Sequence, residues 1–131
     1  MRDITKKYKI GIFGIGYVGL PLYKEFAKIF CTIGYDINKS KVQLSKKLYT
    51  LSYKKTNSKF TSNLDDLKDC NFYIITVPTP INASKKPDLR NIKDACNKIS
   101  KLLKKNDIVV LESTVYPGVV EEVCVPILSK K

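Results

Sequence analysis

Histidine is missing from the chain altogether, and tryptophan with it. The first absence removes the side chain most often used as a general base near neutral pH, and with it most zinc frameworks. The four cysteines, Cys31, Cys70, Cys96 and Cys124, are widely and irregularly spaced, without a C-x-x-C pair. No metal site is therefore expected, and buried, reduced thiols are. No cysteine has a histidine beside it to make it a nucleophile. Arginine is almost absent too: Arg2 and Arg90 are the only two among 24 basic residues, against 12 acidic ones. The net charge of +12 is thus carried by lysines scattered over both termini and most expected helices. Nucleic-acid sites favour arginine forks and a clustered footprint, so a lysine-rich solvated surface is expected instead. No uninterrupted apolar run reaches the roughly 18 residues of a membrane span. The stretch Met1 to Lys7 lacks the apolar core and cleavage site of a secretory signal, which makes the cytoplasm the expected compartment.

What is present is organised around Lys9 to Leu22. The apolar run Ile10-Gly11-Ile12-Phe13 leads into Gly14-x-Gly16-x-x-Gly19, and a helical pattern follows at once. Strand, glycine turn and helix in this order form the fingerprint of a dinucleotide site. The first glycine makes the turn and the second admits a pyrophosphate to the backbone. The third lets the helix pack closely, its free N–H groups aimed at the phosphates. A second strand, Cys31 to Asp36, ends in an acid 22 positions after Gly14. That is close to the spacing of about 20 at which such folds hold the ribose hydroxyls. Read without the glycines, Asp36 is equally a strand-end or turn aspartate.

Along the chain, Val18, Leu22, Phe26, Ala27 and Phe30 predict a first helix ending near Phe30, with Pro21 tolerated in its opening turn. Asn38 or Ser40 is expected to cap a helix through Lys41, Val42, Leu44 and Leu48. Tyr49 to Lys59 reads as a polar, irregular surface connection. Phe60-Thr61-Ser62 reads as a brief strand, with Ser62 capping a short helix over Asn63–Lys68. Asn71 to Val77 is a buried, β-branched strand that stops at Pro78-Thr79-Pro80. Asp88 is expected to cap a helix whose stripe is Leu89, Ile92, Cys96, Ile99 and Leu103. Ile108 to Leu111 gives a fifth strand, leading into Glu112-Ser113-Thr114. A last helix carries Val120, Val123, Cys124 and Ile127, and Pro126 is expected to kink or end it. Strict alternation of this kind predicts an α/β fold: a Rossmann-type doubly wound parallel sheet of about five strands with flanking helices. Its chemistry belongs at the carboxyl ends of the strands, which are Gly14–Gly19, Asp36, Pro78-Thr79-Pro80 and Glu112-Ser113-Thr114.

In this order Gly14-Ile15-Gly16-Tyr17-Val18-Gly19-Leu20-Pro21-Leu22, Tyr35-Asp36-Ile37-Asn38, Val77-Pro78-Thr79-Pro80 and Glu112-Ser113-Thr114-Val115-Tyr116-Pro117-Gly118 closely resemble the NAD-binding domain of the UDP-glucose/GDP-mannose dehydrogenase family. So does Glu121 to Leu128. The Glu-Ser-Thr-Val-Tyr-Pro-Gly run looks most like the branch that oxidises UDP-N-acetylhexosamines. The resemblance implies NAD-dependent oxidation of a nucleotide sugar at C6, from alcohol to carboxylate. It further implies that Gly14, Gly16, Tyr17, Val18 and Gly19 cradle the pyrophosphate, and that Asp36 holds the adenosine ribose and repels NADP. Lys41 matches a position that assists at the adenosine end, although it also reads as one surface lysine among many. Pro78 and Thr79 would pack on the cofactor or form only a proline-rich turn. Ser113 and Thr114 would reach the nicotinamide side; an N-cap role is the alternative. Glu112 reads equally as a polar contact or a strand-end charge.

The family's nucleophilic cysteine lies in a later domain that these residues do not match, and Cys124 is not its counterpart. Residues 1–131 are thus expected to form a single NAD-binding Rossmann domain, cut before a sixth strand, without the central and C-terminal family domains. No catalytic residue is assigned within it, and no turnover is expected from it alone. A nucleotide sugar becomes a partner only when the missing domains are supplied. The uncovered fifth strand suits a homodimer or a complementing chain. The rival expectation is a stand-alone nucleotide-binding module without dehydrogenase activity.

Overall fold

The computed structural model describes residues 3–49 and 51–130. Met1 and Arg2 of the N-terminal stretch, Thr50 of the expected connection, and Lys131 lie outside them. Five parallel strands form one sheet in the order β3-β2-β1-β4-β5. They are β1 (Ile10–Phe13), β2 (Thr32–Tyr35), β3 (Lys59–Thr61), β4 (Phe72–Ile75) and β5 (Ile108–Leu111). The order runs outward from β1 through β2 to β3 on one side, and from β4 to β5 on the other. The reversal therefore falls between β1 and β4, where Phe13 pairs with Ile75.

Period-two alternation sends the strand side chains to two separate cores. Ile10, Ile12 and Ile74 face α2 (Gly19–Phe26) and α3 (Lys39–Tyr49), where Tyr23 stacks on Phe60 at 4.1 Å and Val42 completes the layer. Phe13, Ile33, Tyr35, Tyr73 and Ile75 face the other way, toward α4 (Arg90–Leu102), which contributes Ile92, Ala95, Cys96 and Ile99. β1 and β2 are buried at every position, as an inner parallel strand requires, whereas β5 is half-exposed along its length.

Several local expectations need correction. α2 ends at Phe26, not near Phe30, and Ala27 to Ile29 turn the chain toward β2. The connection after α3 is a 3₁₀ turn (Leu51–Thr56) that braces its neighbours. Thr56 Oγ1 donates to the Ala27 carbonyl at 2.6 Å, and Ser58 Oγ accepts the Thr32 amide at 2.9 Å and donates to the Phe30 carbonyl. Its hydroxyls look polar in sequence because they serve backbone groups left open where α2 stops and β2 starts. The short helix near residue 64 is capped by Asn63, whose side chain accepts from the Asp65 amide, and not by Ser62. A one-turn α1 (Ile4–Lys7), capped by Asp3, was not foreseen. Asn71 holds the segment after it, accepting the Lys9 amide and donating to the Lys7 carbonyl.

Pro126 does not end the last helix. It sits in the opening turn of α5 (Val125–Leu128), directly after a π-helical turn (Val120–Cys124) in which Val125 N donates to Val120 O. The wider turn suits a proline, which has no amide for the i−4 bond and whose ring crowds the preceding turn. Asp88 does supply the cap at α4, its carboxylate accepting the Arg90 amide, although the helix boundary falls at Leu89. Among the described residues, no helix is long and apolar enough to cross a membrane.

All four thiols are free, with Cys70, Cys96 and Cys124 buried. Burial pushes the Cys70 and Cys96 thiols up to about 12. The native protein should therefore show one fast-reacting thiol, Cys31, toward an aromatic disulfide reagent near pH ~8, and all four only in denaturant. Rapid native labelling of Cys96, located by peptide mapping, would contradict this packing.

Candidate functional site

At the carboxyl end of β1 the backbone turns through Gly14, whose φ of 107° is strained for any residue with a Cβ. Its amide donates to the Tyr35 carbonyl at 2.8 Å, and its own carbonyl accepts from Thr76 Oγ1 at 2.8 Å. Thr76 also donates to the Phe13 carbonyl at 3.1 Å, so one buried hydroxyl fastens the turn to β4. Gly19 opens α2 so close beneath the turn that a Cβ there would stand 1.7 Å from the Gly14 carbonyl oxygen. At Gly16, by contrast, a Cβ would meet nothing within 4 Å.

The space over Gly16 is therefore open, and the backbone beside it is equipped to fill it with an anion. Among the described residues, no acceptor is paired with the amides of Tyr17, Val18 or Gly19. Val18 stands at the N-cap of α2, so these amides sit at the positive end of that helix. Free donors together with an unfilled cradle suit a pyrophosphate.

Asp36, one residue past β2, ties two loops together. Its Oδ2 accepts the Ile15 amide at 2.9 Å and its Oδ1 accepts the Asn38 amide at 2.9 Å. Each oxygen keeps a second lone pair for an incoming hydroxyl. Lys41 lies in the first turn of α3, where its amide is capped by the Asn38 side chain at 3.2 Å. Gly14, Asp36, Lys41 and Pro78 line one cleft of about 200 Å³. Gly16, Tyr17 and Lys41 line a more open second one on the α2 side. The sequence-chosen residues of the first two loops and Pro78 thus converge at the reversal point.

The third and fourth loops are laced to each other. Thr79 Oγ1 donates to the Thr114 carbonyl at 2.8 Å, and Ser113 Oγ donates to the Val77 carbonyl at 2.8 Å. The hydroxyls of Thr79 and Ser113 thus hold the β4 and β5 loops together, while the Thr114 residue is exposed. Asn91 Nδ2 adds a bond to the Pro78 carbonyl at 3.0 Å.

Sequence reasoning missed the wall of the first cleft made by α4, where Asn91, Asp94 and Lys98 face it. Lys98 Nζ donates to Asp94 Oδ2 at 2.8 Å and lies 5.4 Å from the Tyr35 ring centre. Burial works against the charge of Lys98, but hydrogen bonding to Asp94 and Tyr35 prevails and holds its pKa above the usual lysine value. The spacing places Asn91, Asp94 and Lys98 on one helix face without saying what that face borders. These residues recur at i, i+3 and i+7, flanking the apolar stripe of Ile92, Ala95, Cys96 and Ile99.

A parallel sheet of order β3-β2-β1-β4-β5, a glycine turn with free amides and an acid at the end of β2 together define a Rossmann-type dinucleotide-binding domain. Comparison with known proteins narrows the class. Residues 8–131 match the UDP-glucose/GDP-mannose dehydrogenase family, NAD binding domain, and the chain belongs to that family. It is 48% identical over 130 residues to UDP-N-acetyl-D-glucosamine 6-dehydrogenase of Salmonella typhi, covering 93% of this chain and 31% of that protein. It is 44% identical to Protein CapL of Staphylococcus aureus, covering 92% of this chain and 30% of that protein. In three dimensions it resembles GDP-mannose dehydrogenase of Pseudomonas aeruginosa, solved as a ternary complex, with a TM-score of 0.82 at 26% identity over 92% of this chain and 31% of that one. The chain therefore spans about a third of the length of these relatives, and the cofactor of the matched domain is NAD.

Gly19 and Gly16 should separate on substitution. Gly19→Ala is expected to cost about 3 kcal/mol or more in urea unfolding, because the added methyl meets backbone. Gly16→Ala should stay within about 0.5 kcal/mol of the parent, yet weaken NAD binding at least about tenfold by calorimetry.

Proposed function

We propose that this chain is the cofactor-holding part of an NAD-dependent nucleotide-sugar 6-dehydrogenase that takes the C6 alcohol of a UDP-N-acetylhexosamine to the carboxylate. The observation that carries the reading is the cradle itself. Open space over Gly16, unpaired amides at Tyr17, Val18 and Gly19, and the Asp36 carboxylate occur together in a chain 48% identical to a UDP-N-acetyl-D-glucosamine 6-dehydrogenase. NAD, when bound, supplies the hydride acceptor for such an oxidation.

In this reading the loop Gly14–Gly19 binds the pyrophosphate through backbone N–H groups and Asp36 accepts from the adenosine ribose hydroxyls. The negative charge of Asp36 disfavours a 2′-phosphate, giving NAD over NADP. Lys41, beside Asp36 in the cleft, partly balances the phosphate charge. Pro78 and Thr79 form the floor under the cofactor, and Ser113 and Thr114 bound its nicotinamide side. The bonds from Thr79 and Ser113 fix the spacing of that floor. The base and the nucleophile for a two-step oxidation are assigned to segments outside these residues. Consistent with that, the chain has no histidine, and the Cys70 and Cys96 thiols are raised by burial instead of activated. Residues 1–131 then act as one NAD-binding domain, in the cytoplasm where the cofactor is supplied. The half-exposed β5 offers its free edge to a complementing segment or a second copy, with Ile108 38% exposed.

Titration calorimetry of the purified chain tests the cofactor assignment. NAD should bind and NADP should not. Asp36→Asn should weaken NAD about tenfold or more while keeping one acceptor for the loop amides. Absence of NAD binding by folded protein would overturn the reading. With UDP-N-acetylglucosamine and NAD the chain alone should form no reduced nicotinamide. Addition of the remaining two-thirds of a relative such as the Salmonella typhi enzyme should restore it. NAD binding without such complementation would instead favour a stand-alone nucleotide module.

A further inference from the structure

The α4 wall of the adenosine cleft has no part in the assignments above, yet it carries the most sharply defined polar pair in the cleft. Asp36 marks the ribose end. The same cleft is lined by Ile37, just past β2, by Val77 and Pro78, just past β4, and at its α4 wall by Asp94 and Lys98. Ile37 is 67% exposed and offers an apolar surface to a flat ring. A base attached to a ribose held by Asp36 has this slot to enter.

The end of the slot has fixed polarity. A carboxylate only accepts hydrogen bonds and an ammonium only donates them. Asp94 Oδ2 and Lys98 Nζ stand 2.8 Å apart, and Lys98 is pinned from a second side by the Tyr35 ring. The Lys98 side chain is only 23% exposed, which limits the rotamers open to its stem. Acceptor beside donor is the complement of the six-position edge of adenine, where an amino group donates and the neighbouring ring nitrogen accepts. In hypoxanthine that edge is reversed: a 6-oxo group accepts and the ring N–H donates. Placed in the same slot, the oxo group would face a carboxylate and the N–H an ammonium, acceptor against acceptor and donor against donor.

The geometry points to the Asp94–Lys98 pair as a specificity determinant that admits 6-amino purines and rejects 6-oxo purines in the adenosine half of the dinucleotide. This rests on NAD occupying the cleft with its ribose at Asp36. It adds a base-reading function to a helix whose other faces are structural.

The test compares affinities of the purified chain for NAD and for nicotinamide hypoxanthine dinucleotide, which differ only at this edge. The parent chain should prefer NAD at least about tenfold. In Asp94→Asn the amide can turn either its oxygen or its nitrogen toward the base, so the ratio should fall to within about threefold of unity, chiefly through tighter binding of the hypoxanthine form. The Asp94 side chain is 57% exposed, so this substitution leaves the fold intact, as an unchanged thermal midpoint will confirm. A merely structural role for Asp94 would shift both affinities together and leave the ratio unchanged. A parent ratio near one, or a ratio unaltered in Asp94→Asn, overturns the proposal while leaving NAD binding in place. No NAD binding by the folded parent overturns it together with the cofactor assignment.

Discussion

Everything at the functional end of this domain depends on how closely α2 approaches the turn at Gly14. The Gly14 carbonyl oxygen occupies the space that a Cβ on residue 19 would need, and Thr76 caps that oxygen from the side of β4. Three elements meet there with no spare volume: the end of the central strand, the start of the first long helix and the end of the neighbouring strand. The approach determines where the helix N-terminus points. It also leaves the amides of residues 17–19 at the positive end of α2, with no acceptor among the described residues.

The second constraint is the number of polar side chains committed to holding loops in place. Asp36 satisfies the Ile15 and Asn38 amides, Thr79 and Ser113 satisfy carbonyls across the β4–β5 gap, and Asn91 holds Pro78. Asp36, Thr79 and Ser113 look like ligand contacts by sequence position, yet each is committed to a bond within the protein. Their bonds preorganise the cleft, so that binding orders little backbone that was not ordered already. A substitution at such a position therefore perturbs the cradle as well as the contact, which makes conservative replacements more informative than truncation to alanine.

The sheet was readable because its strands are short, continuous apolar runs separated by strongly periodic helices. The Gly14–Gly19 turn and Asp36 were readable because their chemistry demands particular residue types at a particular spacing. What escaped had weaker local signals. Thr56 and Ser58 look like ordinary loop polarity until α2 is seen to stop early and leave carbonyls that need donors. The π-helical turn before Pro126 has no sequence signature beyond the proline itself. Asp94 and Lys98 stand at i and i+4, the spacing of an ordinary helical ion pair. Only the packing of α4 against the sheet shows that their face of the helix borders the cleft.

The place of β1 in the middle of the sheet has a consequence for synthesis. β1 pairs with β4 in register, Phe13 against Ile75, a separation of 62 residues along the chain. At ordinary elongation rates of about 5–20 residues per second, the ribosome needs about 3–12 s to make the second neighbour after the first strand is complete. During that interval Ile10 to Phe13 can pair with β2 but has one side open. The emerging chain therefore carries this apolar strand half-covered until Ile75 is made and clears the exit tunnel. A trigger-type holdase acting on this early intermediate would protect the very strand that later positions the cofactor turn.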